Sequence, residues 1–228
     1  MPVGAVAPTG FFVEENLLDI NAWTGDFCEK LQSVFGRNLL FVGLQGSYKR
    51  GEATQNSDID VVVVLNECRI QEIKAYGETV KSMPFSDKAC GFVCSAEVLR
   101  KWPRFDVLNL YFDTKPIIGR LEDFIDPFSQ KEIRESLLFG ASCLYHGAVH
   151  ALIFDKDYET QASALSKAAF FVIRLRYYLK TGKQTERKTD ILVVTDEQER
   201  LILQRLAPAE TVLTAIAEWS EKIITETI

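Results

Sequence analysis

Residues 44–65 read LQGSYKRGEATQNSDIDVVVVL, and the rest of the chain is organised around this stretch. It has three parts. Residues 39–44 make a short apolar approach, Gly46-Ser47 opens a polar excursion, and residues 59–65 form a second apolar run rich in valine. Short β-branched runs predict buried strands, and the segment between them is too polar for a core. Residues two apart on a strand project from the same face. Asp58 and Asp60 are therefore expected side by side at the mouth of the second strand. Paired carboxylates repel each other and lose hydration unless a cation joins them. Oxygen ligands of this kind suit Mg²⁺, which is commonly held by one or two carboxylates together with substrate phosphates.

Gly46 lets the backbone approach a phosphate closely, and Ser47 adds a hydroxyl donor. A short helix over residues 48–54 would place a favourable dipole at the same point. Either half of the pattern alone fits a β-hairpin with a charged tip. Both halves in this order, between two apolar strands, favour a phosphate and metal site.

Upstream, apolar residues recur at helical spacing over residues 11–35, with Val13, Leu17, Ile20, Trp23, Phe27, Leu31 and Phe35 on one face. Downstream, residues 70–81 read as a second helix closed by Met83-Pro84, and residues 89–94 as a third strand. Residues 105–112 and 115–118 lead to Gly119. Asp106 and Asp113 fit no single strand face there and read as structural. The acidic segment 121–127 reads as a linker. Ser129 followed by Glu132 is a capping box that opens a helix towards His150 or beyond. Further helices are expected over residues 161–180, 196–206 and 209–227. The division implied is 1–127 and 128–228, an α+β chain with a small mixed sheet followed by a helical bundle.

The 228 residues carry a formal net charge of −6, are 47% hydrophobic and 25% charged, and so have room for a substantial core. The acidic balance argues against a large nucleic-acid footprint, which needs a basic face. No run of about 18 apolar residues stands out, so no membrane span is expected. The start has no basic region before its apolar residues, and five cysteines without metal-finger spacing fit reduced thiols, so the expected location is cytoplasmic. Cys90 and Cys94 are expected to pack. A homodimer is left open. His146 and His150 lie four apart on one helix face and are expected at, or packed against, a cleft between the two halves.

Gly46-Ser47 followed by Ser57-Asp58-Ile59-Asp60-Val61 resembles the signature of the DNA polymerase β-like nucleotidyltransferase superfamily. The resemblance implies that Asp58 and Asp60 bind the metals carrying a nucleoside triphosphate, while Gly46 and Ser47 hold its outer phosphates. It also places Ser57 among the nucleotide-binding residues. The superfamily usually carries a third acid on the following strand, as metal ligand or general base, and residues 89–94 contain none. Asp87 just before that strand and Glu97 just after it stand as candidates. In some relatives a helical-domain glutamate supplies the base, which adds Glu135.

The second half carries its own resemblance. Ala168-Ala169-Phe170-Phe171-Val172, Tyr177-Tyr178-Leu179-Lys180-Thr181-Gly182-Lys183 and Arg187-Lys188-Thr189-Asp190 resemble the helical domain of aminoglycoside adenylyltransferases. There a lysine soon after the Thr-Gly-Lys turn touches the triphosphate, which implies Lys188 or Arg187 here. A cation at that place would offset charge on departing pyrophosphate. The expected activity is transfer of AMP from Mg²⁺·ATP to a hydroxyl of a small-molecule acceptor, of aminoglycoside-like type. The alternatives are a catalytically weak or inactive nucleotide-binding regulator of antitoxin-like kind, and an enzyme that modifies a protein side chain.

Overall fold

The computed structural model describes residues 18–226. Helix α1 (Ile20–Phe35) opens on Asp19, whose carboxylate accepts from the N–H groups of Asn21 and Ala22. Its start therefore lies well after residue 11, and Val13 and Leu17 fall outside the described residues. Four strands follow, β1 (Leu39–Leu44), β2 (Ile59–Leu65), β3 (Ala89–Ser95) and β4 (Lys115–Ile118), in the sheet order β3-β2-β1-β4. β1 runs antiparallel to β2 and β4, while β2 and β3 are parallel, so the sheet is mixed. The parallel pair needs a crossover, supplied by α3 (Ile70–Lys81).

β2 is buried on both faces, as its unbroken valine run predicts. Ile59, Val61, Val63 and Leu65 pack with Trp23, Phe27 and Leu31 of α1. Val62 and Val64 face the other way, towards Phe41, Leu99 and Val107. That second layer is built by α4 (Ala96–Lys101) and α5 (Arg104–Phe112). Residues 105–112, which lead to the strand ending at Gly119, are helical because α5 has two partners. Val107 packs under the sheet and Leu108 packs into the core of the helical region. The acidic segment before α6 is likewise anchored, with Leu121 and Ile125 buried in the sheet-side core.

The helical region comprises α6 (Gln130–Phe154), α7 (Tyr158–Thr181), α8 (Lys188–Leu192), α9 (Glu197–Gln204) and α10 (Ala209–Glu226). The Ser129 capping box opens α6: Ser129 Oγ accepts from the Glu132 N–H, and the Glu132 carboxylate accepts from the Ser129 N–H. By length and composition α6 could cross a membrane, which the sequence reading did not anticipate. Here it lies against α7 and α10 and contributes Ile133, Leu137, Ala141, Leu144, Ala148 and Ala151 to their shared core.

All five cysteines are free thiols. Cys94 packs in the core, whereas Cys90 is exposed. His146 and His150 lie on the exposed side of α6 with their rings 6.3 Å apart, and they do not line the cleft described below.

Candidate active site

The polar excursion folds into α2 (Gly46–Arg50), which begins two residues earlier than the sequence reading placed it. Gly46-Ser47 is thus the helix's first turn. The Gln45 N–H donates to the Asp60 carbonyl at 2.8 Å, pinning this turn to the mouth of β2. Gly46 has φ +67°, and a Cβ placed there would meet Asp60 Oδ2 at 2.0 Å. Only glycine permits that approach. Ser57 serves the same loop, since its Oγ accepts from the Thr54 N–H at 2.9 Å and holds the chain just before Asp58.

Asp58 and Asp60 flank a cleft of about 780 Å³ that separates the sheet from α7. Asp60 is half-buried, and its carboxyl pKa is raised, chiefly by burial and then by the neighbouring Asp58 charge, with Arg50 opposing the rise. Such a pair is stabilised in its charged form by a cation. The donor set fits Mg²⁺ that arrives with a phosphate ligand. Among the described residues no group of three or more His, Cys, Asp or Glu side chains forms a metal cluster, so phosphate oxygens and water would complete the coordination.

Of the residues expected at the site, Gly46, Ser47, Ser57, Asp58, Asp60 and Lys188 line one cleft. The others do not. Arg187 is the residue before α8, and its backbone N–H is turned to Asp190. Asp87 lies in the exposed turn before β3. Glu97 pairs with Lys101, and Glu135 pairs with Lys131 on an exposed face of α6. β3 presents Cys90, Gly91 and Phe92 beside Asp60, Val61 and Val62, where a third acid would have stood.

The cleft also holds Arg50, Glu52, Asp113 and Lys167, none of which the sequence reading selected. Asp113 is not merely structural filler. Its Oδ2 accepts from Arg50 Nη1 at 2.8 Å, and its Oδ1 accepts from Arg174 Nη1 at 3.0 Å. Burial lowers the pKa of Arg174, and Asp113 offsets part of that fall. Arg50 Nε also donates to Glu52, whose other oxygen accepts from the Lys188 backbone N–H at 2.7 Å. Helical phase could have found part of this. Lys167, Phe170, Phe171 and Arg174 share one face of α7, and Arg50 lies one turn after Gly46.

Residues 26–139 match the nucleotidyltransferase domain family, half of the chain and the half that carries the Gly46 turn, Asp58 and Asp60. The chain belongs to that family. It is a nucleotidyltransferase of the polymerase β-like kind, in keeping with its Gly-Ser turn and Asp-x-Asp strand. The fold is similar to that of the spectinomycin adenyltransferase AAD(9) from Enterococcus faecialis, solved with ATP and spectinomycin. The TM-score is 0.60 at 13% identity, covering 90% of this chain and 99% of that one. A nucleotidyltransferase-like protein from Exiguobacterium sibiricum matches with a TM-score of 0.37 at 12% identity, over 86% of this chain and 74% of the other. No curated protein matches the sequence.

Proposed function

We propose that this nucleotidyltransferase transfers AMP from Mg²⁺·ATP to a hydroxyl of a small-molecule acceptor in the cytoplasm. The observation that supports the reading is the close approach of the Gly46 turn to the Asp60 carboxylate, where a Cβ would meet Oδ2 at 2.0 Å. Ser47 and the α2 turn would receive the outer phosphates. Lys167 and Lys188, which make no ion pair among the described residues, would balance their charge. Mg²⁺ held by Asp58 and Asp60 would supply neutralisation of the α-phosphoryl charge and a lowered pKa for the acceptor hydroxyl. The hydroxyl gives up its proton to solvent water as its oxygen bonds to the α-phosphorus, the bond from that phosphorus to the bridging oxygen breaks, and pyrophosphate leaves with the electron pair. The two lysines hold the leaving group as its charge grows.

An aminoglycoside-like acceptor is favoured by the likeness to a fold solved with spectinomycin. In this reading residues 1–127 and 128–228 are two domains with the reactants held in the cleft between them. Calorimetry with a non-hydrolysable ATP analogue tests the nucleotide half. Binding that requires Mg²⁺ and vanishes in Asp58→Asn/Asp60→Asn supports it, and no binding by folded protein overturns it. Susceptibility of expressing cells across an aminoglycoside panel tests the acceptor.

A second reading is favoured by one observation. The other carboxylates of the cleft, Glu52 and Asp113, are both occupied by hydrogen bonds, so no spare base faces the carboxylate pair directly. A chain that binds nucleotide but turns over none, serving as a regulator, would show analogue binding without pyrophosphate release for any small-molecule or protein acceptor.

A further inference from the structure

A second chamber of about 320 Å³ opens beside the main cleft, and the two share Gln45, Asp113 and Phe171 as walls. It is near the lower end of the range for small-molecule sites, room for a single ring. Its far wall is aromatic. The rings of Phe92 and Trp102 meet edge to face with centroids 5.2 Å apart. Phe92 lies on the face of β3 that matches the Asp60 face of β2, one same-face step of about 7 Å beyond Cys90, the partner of Asp60. The chamber therefore continues along the sheet from the carboxylate pair.

Trp102 is the exception among the three tryptophans. Trp23 and Trp219 are 3% and 1% exposed, whereas Trp102 is 36% exposed. Its indole N–H donates to Asp106 Oδ2 at 2.6 Å, which fixes ring and carboxylate together. The chamber's walls include two carboxylates and no lysine or arginine. Asp113 is neutralised by Arg50 and Arg174, whereas Asp106 has no ion-pair partner among the described residues. A triphosphate would be repelled here. A cation over an indole face and beside a carboxylate is attracted by both. Asn109 adds an amide suited to hydroxyls, and Gln45, whose Nε2 donates to Thr114 Oγ1 and the Leu110 carbonyl, adds its side-chain oxygen as an acceptor.

We propose that this chamber seats the acceptor, and that Asp106 and Trp102 select a polyol ring bearing an ammonium group. The proposal rests on the nucleotidyl-transfer reading. Asp106 stands in for the acid missing from β3 as the carboxylate that orients the acceptor, but from the neighbouring helix α5 instead of the sheet.

The test uses tryptophan fluorescence, because Trp102 alone of the three is open to added solute. The probes are 2-deoxystreptamine, a diamine ring, and myo-inositol, its uncharged counterpart. The diamine is expected to give a saturable change that weakens roughly tenfold or more in Asp106→Asn and disappears in Trp102→Phe, with myo-inositol silent. Asparagine keeps the indole hydrogen bond, so the variant should fold. Equal diamine affinity in Asp106→Asn, an equal response to myo-inositol, or no saturable change would overturn the proposal. Asp106→Asn is expected to bind the ATP analogue as the wild type does. Failure of the wild type to bind that analogue would overturn the nucleotidyl-transfer reading, and the acceptor role with it, even if the diamine still titrates.

Discussion

Arg174 Nη1 donates to Asp113 Oδ1 at 3.0 Å, and this buried pair ties α7 to the residue between α5 and β4. Arg50 takes the other Asp113 oxygen and reaches Glu52, which accepts from the backbone of Lys188. The connection thus leaves the helical region, runs through the far end of the helix that Gly46 opens, and returns to the helical region. Removing the central carboxylate leaves the buried Arg174 guanidinium without its ion-pair partner, while Arg50 keeps Glu52. Asp113→Ala should lose about 3–5 kcal/mol of stability in urea unfolding, with Asp113→Asn intermediate. A loss within the range of a surface substitution would show that the network does not hold the halves together.

Gly46 and Asp60 cannot both keep their places if a methyl group is added between them. Gly46→Ala meets Asp60 Oδ2 and a left-handed φ at once. Analogue affinity should fall roughly tenfold or more, about 1.4 kcal/mol, while circular dichroism still reports a folded protein. Unchanged affinity would remove the turn from the nucleotide site.

The raised pKa of Asp60 has a definite sign. Its ionised form is disfavoured in the folded protein relative to the unfolded chain, so at neutral pH the charge opposes folding, and protonation relieves this as pH falls through the raised value. Asp60→Asn should therefore raise the melting temperature of the metal-free protein by roughly 2 °C while abolishing Mg²⁺-dependent binding. Binding by the wild type should weaken on acidification at a pH above the usual aspartate range. A lower melting temperature in the variant would contradict the burial argument.

Lys188 and Arg187 are neighbours in sequence but not in role. Lys188 lines the cleft and Arg187 does not. A charge-assisted contact contributes about 1.5–3 kcal/mol, so Lys188→Ala should weaken analogue binding by roughly tenfold or more. Arg187→Ala should leave it nearly unchanged. Calorimetry on both variants decides between them.

Glu132 accepts from the Ser129 N–H and Oγ and from Arg104 Nε, and these bonds hold its carboxyl down at about 2, the Ser129 backbone bond contributing most. A depressed carboxylate stabilises the fold above its unfolded value, about 4.3, and that contribution fades as pH falls towards 2. Arg104 also donates to the carbonyls of Asp126 and Pro127 and covers the Phe128 ring, so the bond secures the approach to α6. Glu132→Gln should lower stability at neutral pH and flatten its fall between pH 4.5 and 2, read by thermal melts across that range.

Much of this was legible where the signal is local. Short β-branched strand runs, the Ser129 capping box and the Gly-Ser turn ahead of Asp58 and Asp60 each depend on neighbours a few residues away. Those elements form largely as the sequence indicates. Local signal failed for α5, whose apolar residues serve two partners at once, so no single face stands out. For α6 the capping box located the helix, but why so long a helix is so apolar is explained only by α7 and α10 lying against it.

The sequence by itself determined that two carboxylates stand beside a glycine-serine turn, because strand parity and a tight turn need no distant contact. Only the tertiary structure decided which charges join them. Asp113 comes from one side and Arg174 from the other, 61 residues apart, and their pairing follows from burial in a shared interface. The same packing left Glu135 and Asp87 outside the cleft and brought Phe171 of α7 over the chamber that Trp102 and Asp106 line. Spacing along a chain specifies which residues share a face; desolvation between packed elements specifies which faces meet.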